Sequence, residues 1–236
     1  MSINTVLFDL DGTLLPMDQD TFVGDYFSRL TKKMVPYGYD PKQLIKATWA
    51  GTAEMVKNNG EVTNEQAFWK KFAQLYGEDK LADKPTFEDF YRVEFDEVKS
   101  VCGYNPAAAK AIGRIKQLGL GIALATNPLF PSPATYHRIN WAGLNADDFE
   151  YITTYENSHY CKPNPGYYSE IAEKLGLDPA ETLMVGNDAD EDTAAEAVGM
   201  KVFLLTDCLI NKSGKDIAQY PNGTFDKLIE YIEANA

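Results

Sequence analysis

The most constraining feature of the sequence is an acidic pair that directly follows a short apolar run near the amino terminus. Val6, Leu7 and Phe8 form a run that is too short for a core helix and rich in strand formers, which predicts a buried parallel strand. Asp9 and Asp11 come directly after it. Because strand side chains alternate with a period of two, both carboxylates should project to one side at the carboxyl end of the strand, where open α/β sheets bind ligands.

Two neighbouring carboxylates repel each other unless a cation or a shared proton relieves the repulsion. Asp9 and Asp11 therefore predict a divalent metal site, and an aspartate beside such a metal can act as an oxygen nucleophile. Gly12 permits a sharp turn after the pair. The alternative is an ordinary strand that ends in an Asp-Gly turn, and this stretch by itself favours that alternative.

The stretch from residue 16 to residue 100 carries apolar residues at helical spacing. We predict helices there at 21–33, 41–58, 64–76 and 86–99, without a buried strand between them. The aromatic residues of this stretch are more typical of the core of a small helical unit than of a ligand site. An insertion at this point would lie over the carboxyl ends of the strands, where it can act as a cap.

From residue 105 onwards, predicted helices alternate with predicted strands. Helices are expected at 106–118, 165–175 and 192–198, and strands at 121–125, 149–153, 182–185 and 201–205. Such alternation is typical of a parallel sheet that is covered by helices on both faces. The sequence therefore predicts the α/β fold class.

Polar residues collect where these predicted strands end. Thr126 and Asn127 follow one strand, Lys162 follows another, and Asp188 follows a third. A phosphate monoester requires a metal to neutralise its oxygens, a hydroxyl and amides to hold them, and a cation to complete the charge balance. Each residue alone is ordinary, since an isolated lysine is mostly a surface residue. Their occurrence at one edge of the sheet favours a phosphate site.

The acidic run from residue 188 to residue 192 has competing interpretations. Asp188, Asp190 and Asp192 resemble the first half of a calcium loop, but the glycine and the bidentate glutamate of that loop are missing, which excludes an EF-hand. Acids that complement the dipole of a following helix account for part of the run. We assign Asp188, nearest the strand end, as the metal ligand, and Asp192 as a neighbour that orients Lys162 or a metal-bound water.

These motifs, in this order, resemble the four motifs of the haloacid dehalogenase (HAD) superfamily with a C1-type helical cap. Asp9-Leu-Asp-Gly-Thr-Leu comes first, followed by Thr126, then Lys162-Pro, then Gly-Asn-Asp188 with Asp192. Any one motif is weak, but four in order over nearly the whole chain are specific. The resemblance implies a Rossmann-like α/β parallel-sheet core domain of residues 1–15 and 101–236, with a helical cap domain of residues 16–100 inserted after the first strand.

The resemblance also implies roles for individual residues. The catalytic residues are Asp9 as the nucleophile, Asp11 as the general acid and base, and Lys162 as the charge-balancing cation. The phosphate-binding residues are Gly12, Thr126, Asn127 and Lys162. The implied cofactor is Mg²⁺, held by Asp9, the carbonyl of Asp11, and Asp188. Dehalogenases of the superfamily lack an acid at the position of Asp11, so its presence implies phosphoryl transfer.

The fourth motif departs from the usual Gly-Asp pattern of the superfamily. Asn187 stands between Gly186 and Asp188, so the identity of the acid that meets the metal depends on the course of this loop. We expect Asp188 to be that acid.

The predicted reaction is the Mg²⁺-dependent hydrolysis of a small phosphorylated metabolite through an aspartyl phosphate on Asp9. A phosphosugar mutase on the same scaffold is one alternative, because the phosphoryl group could pass to a second sugar hydroxyl instead of water. A non-catalytic phosphoacceptor of the receiver type is another, although receivers carry their acidic pair and their phosphoacceptor on separate strands. With only His137 and His159, and no Gly-x-Ser-x-Gly segment, a Ser-His-Asp hydrolase has few candidates.

Composition narrows the expected partners. The net charge of −13 over 236 residues disfavours a nucleic-acid or an anionic membrane partner. No segment approaches the roughly 20 apolar residues of a membrane span, and no signal peptide is evident, so we expect a cytoplasmic protein. Three widely spaced cysteines without a CxxC pattern imply neither a disulfide framework nor a zinc site. The sequence does not specify the oligomeric state.

Overall fold

The computed structural model describes residues 2–236. Within these residues a parallel sheet has the strand order β2-β1-β3-β4-β5. The strands are β1 (Thr5–Phe8), β2 (Gly121–Leu124), β3 (Thr182–Gly186), β4 (Lys201–Leu205) and β5 (Asn222–Gly223). All neighbouring strands pair in parallel, and β1 lies between β2 and β3. The predicted α/β fold with a parallel sheet is confirmed.

Helices fill the connections between these strands. They are α1 (Gln19–Met34), α2 (Pro41–Val56), α3 (Asn64–Tyr76), α4 (Lys84–Arg92), α5 (Pro106–Gln117), α6 (Ser132–Trp141), α7 (Pro165–Leu175) and α8 (Phe225–Asn235). The first four lie between β1 and β2, as the helical spacing of residues 16–100 predicts. The predicted start of α3 is confirmed, because Thr63 and Gln66 form a capping box at its amino end.

The alternation of strand side chains divides the core of the sheet into two layers. Val6 and Phe8 of β1 pack in one apolar cluster with residues of α5 and α8. Leu7 packs in the other cluster with residues of α7 and with Ala195. Both faces of β1 are thus buried, which accounts for its continuous apolar run.

The helical unit formed by α1 to α4 contacts the rest of the chain at several places, two of which involve backbone hydrogen bonds of Pro16 and Asn64. At the first, the amide of Gly103 donates to the carbonyl of Pro16 at 2.7 Å, so the entering and leaving segments run side by side. At the second, the fully buried Asn64 donates from its backbone amide to Ser158 O at 2.9 Å and from Nδ2 to Tyr160 O at 3.2 Å. The division into domains of residues 1–15 with 101–236 and of residues 16–100 stays a prediction.

Residues 149–153 do not form the predicted strand. Ile152 makes an isolated parallel bridge to Leu124, and backbone bonds join Glu150 N to Ile122 O, Leu124 N to Tyr151 O and Thr153 N to Leu124 O, so the segment pairs with β2 without becoming a regular strand. The side chain of Asn157 donates to Ile152 O and accepts from the amide of Thr154, both at 2.9 Å, and these bonds turn the chain away from the sheet. The short strand β5 at the opposite edge was not predicted.

Two predicted helices differ in form. The helix predicted at 86–99 ends at Arg92 because Val93 leaves helical geometry, and a 3₁₀-helix follows at Glu94–Val101. The helix predicted at 192–198 is a 3₁₀-helix, Asp192–Val198, which Gly199 ends with a positive φ of 92°.

The structure also bears on the expectations from composition. Cys102, Cys161 and Cys208 are all free thiols. Among residues 2–236, no helix combines the length and the apolar character that crossing a bilayer requires.

Candidate active site

A buried lysine joins two aspartates at the carboxyl end of β1. Asp9 and Lys162 are 7% and 1% exposed, and Lys162 Nζ lies 2.9 Å from Asp9 Oδ1 and 2.7 Å from Asp192 Oδ1. Burial alone would lower the pKa of Lys162, but the carboxylates of Asp192 and Asp9 raise the pKa well above its ordinary value. The lysine is therefore a fixed positive charge beside the predicted nucleophile.

Thr13 holds the second oxygen of Asp9. Its Oγ1 lies 3.0 Å from Asp9 Oδ2 and 2.9 Å from Asn187 Oδ1, so one hydroxyl connects the loop after β1 to the loop after β3. Gly12 makes this approach possible, because its φ is +85° and an added Cβ would lie 2.3 Å from Asn187 Nδ2. The Asp-Gly turn is thus part of the acidic site and not an alternative to it.

Asp11 forms an ion pair with Arg138, a residue of α6 that is 1% exposed. The guanidinium also lies 4.6 Å from the centre of the Phe130 ring. Burial raises the pKa of Asp11 above its ordinary value, although Arg138 lowers it. The other carboxylate oxygen, Oδ1, is buried and has no hydrogen-bond partner within residues 2–236.

Arg138 is a site residue that sequence reasoning missed. It was missed because α6 was not predicted, so position 138 carried no structural context. A signal was present, since Ala134, Arg138 and Trp141 fall on one helical face and all are buried. An arginine in an apolar stripe needs an acidic partner, but the stripe does not show that the partner is Asp11.

The loop after β3 fixes the acids of the fourth motif. Asp188 Oδ1 accepts from the amides of Asp190 and Glu191 at 2.7 and 3.0 Å, and the amide of Asp188 donates to Asp192 Oδ2 at 2.9 Å. Gly186 is required for this packing, because an added Cβ would lie 1.9 Å from Asp192 Oδ2. Asp188 faces the same cavity as Asp9, whereas its neighbour two residues along does not.

Asp190 and Asn187 are held by different parts of the loop that follows β4. Asp190 Oδ2 accepts from the amide of Ser213 at 3.1 Å, away from the acidic site. Asn187 is 2% exposed and donates from Nδ2 to Cys208 O at 2.7 Å. The extra residue of the motif is therefore accommodated inside the protein, beside Thr13.

The loop after β2 carries Thr126 and Asn127. The carbonyl of Thr126 accepts from the Tyr167 hydroxyl at 2.8 Å, and Thr126 lines the cavity at the site. Asn127 Oδ1 accepts from the amide of Lys162 at 3.3 Å, and its Nδ2 donates to Glu191 Oε2 at 3.0 Å. Asn127 thus ties the lysine loop to the fourth motif, and its role in phosphate binding stays a prediction.

A family model described as haloacid dehalogenase-like hydrolase matches residues 3–199. The chain belongs to the haloacid dehalogenase-like hydrolase family. The superfamily membership and the enzymatic character expected from the four motifs are confirmed.

Relatives and solved structures extend this comparison. A bifunctional riboflavin kinase/FMN phosphatase of Arabidopsis thaliana is 27% identical over 84% of this chain, which spans 47% of that longer protein. A phosphoglycolate phosphatase of Vibrio vulnificus is 26% identical over 86% of this chain and 84% of its own length. A solved hydrolase structure from Bacillus subtilis, bound to magnesium, shares the fold with a TM-score of 0.56 at 16% identity, covering 98% of this chain and 99% of that chain.

The residues of this haloacid dehalogenase-like hydrolase fit a magnesium ion in their donor chemistry. Asp9, Asp11 and Asp188 line one cavity, and a buried oxygen of Asp11 has no partner in the described chain. Residues 2–236 contain no group of three acids, histidines or cysteines arranged to hold a metal by themselves. Mg²⁺ commonly uses one or two carboxylates and completes its shell with waters and substrate oxygens, so such a group is not required.

The two histidines lie outside the site. His137 Nε2 is 3.1 Å from Arg92 O, and His159 Nδ1 is 2.7 Å from Glu170 Oε1. Neither lines the cavity that contains Asp9. A Ser-His-Asp mechanism therefore has no histidine at this site.

Proposed function

We propose that this hydrolase is a Mg²⁺-dependent phosphatase that transfers the phosphoryl group of a small phosphorylated metabolite first to Asp9 and then to water. The observation that carries the proposal is the contact of Lys162 with Asp9, which places a charge-balanced carboxylate at the carboxyl end of β1. A carboxylate can approach a phosphate dianion only when nearby positive charge offsets the repulsion between them.

Asp9 is the nucleophile in this proposal. Thr13 and Lys162 hold one oxygen each, which restricts the carboxylate to a single orientation before the substrate binds. Lys162 and the hydroxyl of Thr126 would bind the phosphate oxygens, together with backbone at Gly12 and the side chain of Asn127. In-line attack by Asp9 then forms an aspartyl phosphate and releases the alcohol.

Asp11 carries the proton in this proposal. Its Oδ1 atom has no hydrogen-bond partner in the described chain, whereas Arg138 holds the carboxylate through the other oxygen. Oδ1 is therefore the atom that would protonate the departing alcohol and later take a proton from the attacking water. Arg138 keeps the side chain in place between the two steps.

Magnesium would be held by Asp9, the carbonyl of Asp11 and Asp188. When bound, it supplies positive charge that neutralises the phosphate oxygens and the nucleophile. Asp192 contacts Lys162 and the amide of Asp188, so it would orient both from behind the ligands. These assignments rest on the shared cavity and on the donor chemistry.

The comparisons support a phosphatase over the alternatives. The relatives from Arabidopsis and Vibrio carry phosphatase names, and both match most of this chain. A solved structure described as a β-phosphoglucomutase, from Thermotoga maritima, shares the fold with a TM-score of 0.57, but a shared fold at 17% identity does not favour a mutase reaction. Membership of a hydrolase family also disfavours a non-catalytic receiver. A cytoplasmic location is part of this proposal.

The test is phosphate release from a panel of phosphate monoesters, with Mg²⁺ and with EDTA. We expect release that requires Mg²⁺ and, in rapidly quenched samples, a hydroxylamine-sensitive phosphate on the peptide that contains Asp9. Turnover without a covalent phosphate would contradict the two-step mechanism. Detection of a bisphosphorylated sugar intermediate would replace the phosphatase with a mutase.

A further inference from the structure

The cavity at Asp9 continues into the helical unit. It has a volume of about 400 Å³, and its walls include Asp9, Asp11 and Thr126 at one end and residues of α1, α2, α3 and α4 at the other. This volume lies within the range of small-molecule sites. A phosphate bound at Asp9 would thus direct its alcohol portion toward the helices.

The helical side of the cavity is mainly apolar. Its phenylalanine and tryptophan side chains are Phe22, Phe27, Trp49, Phe68, Trp69 and Phe87, which we call the aromatic wall. Ring contacts such as Phe68 with Trp69 and Trp69 with Phe87, both at 5.3 Å between centroids, fix the wall in shape.

The polar atoms on this side are largely engaged within the protein. The hydroxyls of Tyr26 and Tyr91 bond each other at 2.7 Å, and Trp69 Nε1 donates to the Tyr155 hydroxyl at 3.4 Å. Thr48 and Thr52 donate to helix carbonyls one turn earlier, at 2.9 and 3.0 Å. A substrate with many hydroxyls would lose its bonds to water and find few replacements here.

The charges around the cavity also restrict the substrate. Among the cavity residues that α1 to α4 contribute in the described chain, the charged residue is an acid, Asp20. Lys212, on the loop after β4, is the basic residue among all described cavity residues, and it is exposed. The buried Lys162 contacts Asp9 at the phosphate end. A carboxylate or second phosphate on the alcohol portion would therefore find no buried cation among the described residues that line the cavity.

We propose that the alcohol portion of the substrate is an uncharged apolar group, alkyl or arylalkyl, that binds against the aromatic wall. This inference rests on the proposed phosphatase function. It separates this enzyme from a phosphoglycolate phosphatase, whose substrate carries a carboxylate next to the scissile ester, although a relative at 26% identity bears that name.

The test compares kcat/KM for phosphate monoesters of primary alcohols, which are similar in intrinsic reactivity. The series is ethyl, butyl, hexyl and benzyl phosphate, with glycerol phosphate and phosphoglycolate as polar and charged counterparts. Burial of each methylene is expected to raise kcat/KM by about three- to four-fold, until the chain fills the cavity. Benzyl and hexyl phosphate should exceed phosphoglycolate by on the order of a hundred-fold on the same basis.

Two matched variants test whether the aromatic wall causes the rise of kcat/KM with chain length. Trp49 and Tyr37 are 50% and 49% exposed aromatic residues of the helical unit, but only Trp49 lines the cavity. Trp49→Ala should reduce the rise of kcat/KM with chain length. Tyr37→Ala should leave both the rise and the rate for ethyl phosphate unchanged, with circular dichroism confirming the fold of each variant.

Each outcome decides a separate question. A flat series, a preference for phosphoglycolate, or an undiminished rise in Trp49→Ala would overturn the apolar substrate class while leaving a phosphatase in place. If no ester in the panel, phosphoglycolate included, releases phosphate in the presence of Mg²⁺, the proposed phosphatase function itself fails.

Discussion

The two ends of the cavity are held by different interactions, charge pairs at one end and ring packing at the other. At the sheet edge, Asp9, Lys162 and Asp192 are buried charges that fix one another through direct contacts. On the helical side, rings such as Trp69 and Phe87 are held by packing and contribute shape instead of charge. A buried charge tolerates few replacements, because losing its partner leaves an unpaired ion. Apolar walls tolerate many replacements of similar volume. Substitutions in the aromatic wall can therefore change the preferred substrate while the charged residues keep the same reaction.

The largest effect should come from Asp9→Asn, which tests the charged end. An amide cannot form the acyl phosphate, so turnover should be abolished while the fold persists. Phosphate release and thermal unfolding are the measurements, and Asp226→Asn, an exposed change at the start of α8, is the matched control. A near wild-type rate, once mass spectrometry has ruled out deamidation back to aspartate, would remove Asp9 as the nucleophile.

The next effect in size should come from Asp11→Asn. Loss of a general acid and base is expected to slow both phosphorylation and hydrolysis of the intermediate by roughly a hundred- to ten-thousand-fold. Quenched-flow measurement of the covalent phosphate separates the two steps. Arg138→Gln, which keeps Asp11 but removes its cation, should slow both steps less. Normal kinetics in Asp11→Asn would exclude Asp11 from the mechanism.

A smaller and graded effect is expected in the fourth motif. Asp188→Ala should raise the Mg²⁺ concentration for half-maximal activity most, because it removes a direct carboxylate. Asp192→Ala should lower activity or metal affinity by roughly ten- to a hundred-fold, through Lys162 and the Asp188 amide. Asp190 accepts from the amide of Ser213, away from the cavity. Asp190→Ala should therefore scarcely change the Mg²⁺ titration. If Asp190→Ala were the most impaired variant, Asn187 would have shifted the register of the loop, and the assignment of Asp188 as the metal ligand would be wrong.

The smallest effect is expected on the helical side, where stability changes instead of chemistry. Tyr91→Phe removes one partner of the hydroxyl pair and leaves the buried Tyr26 hydroxyl unpaired. The free energy of unfolding should fall by about 1–3 kcal/mol. In the Tyr26→Phe, Tyr91→Phe double variant, urea denaturation should show a loss smaller than the sum of the single losses. Additive losses would show that the two hydroxyls do not depend on each other.

The sequence predicts residues of the charged end because they follow strands, although their roles in the site stay predictions. Asp9, Thr126 and Asp188 each occupy the position after a buried run, and parallel strands bring such positions to one edge. Arg138 could not be found this way, because its pairing with Asp11 depends on how α6 packs against the loop after β1. A local sequence pattern indicates where a strand ends. A contact between elements that are distant in the sequence can be identified only in the folded structure.

The sequence was less informative about the sheet edges and the substrate. The segment 149–153 has strand-forming residues and bonds the backbone of β2, but its pairing ends at Thr153, where Asn157 bonds Ile152 O and the amide of Thr154 in the turn that follows. The two residues of β5 are too few to produce a pattern. The aromatic residues of the helices were expected to form a small core, and several of them also line the cavity. A ring serves both roles with the same side chain, so sequence alone does not separate them.

The contacts of the helical unit with the rest of the chain have a mechanical consequence. They include the pairing of Pro16 with Gly103, the bonds of the buried Asn64 to the carbonyls of Ser158 and Tyr160, and the contact of Arg92 O with His137 Nε2 on α6. A movement of the helical unit that widens the gap above Asp9 therefore strains several separate contacts at once, and its energetic cost is shared among them. Asn64→Ala would remove the side-chain bond to Tyr160 but keep the backbone bond to Ser158, which lowers this cost without releasing the attachment.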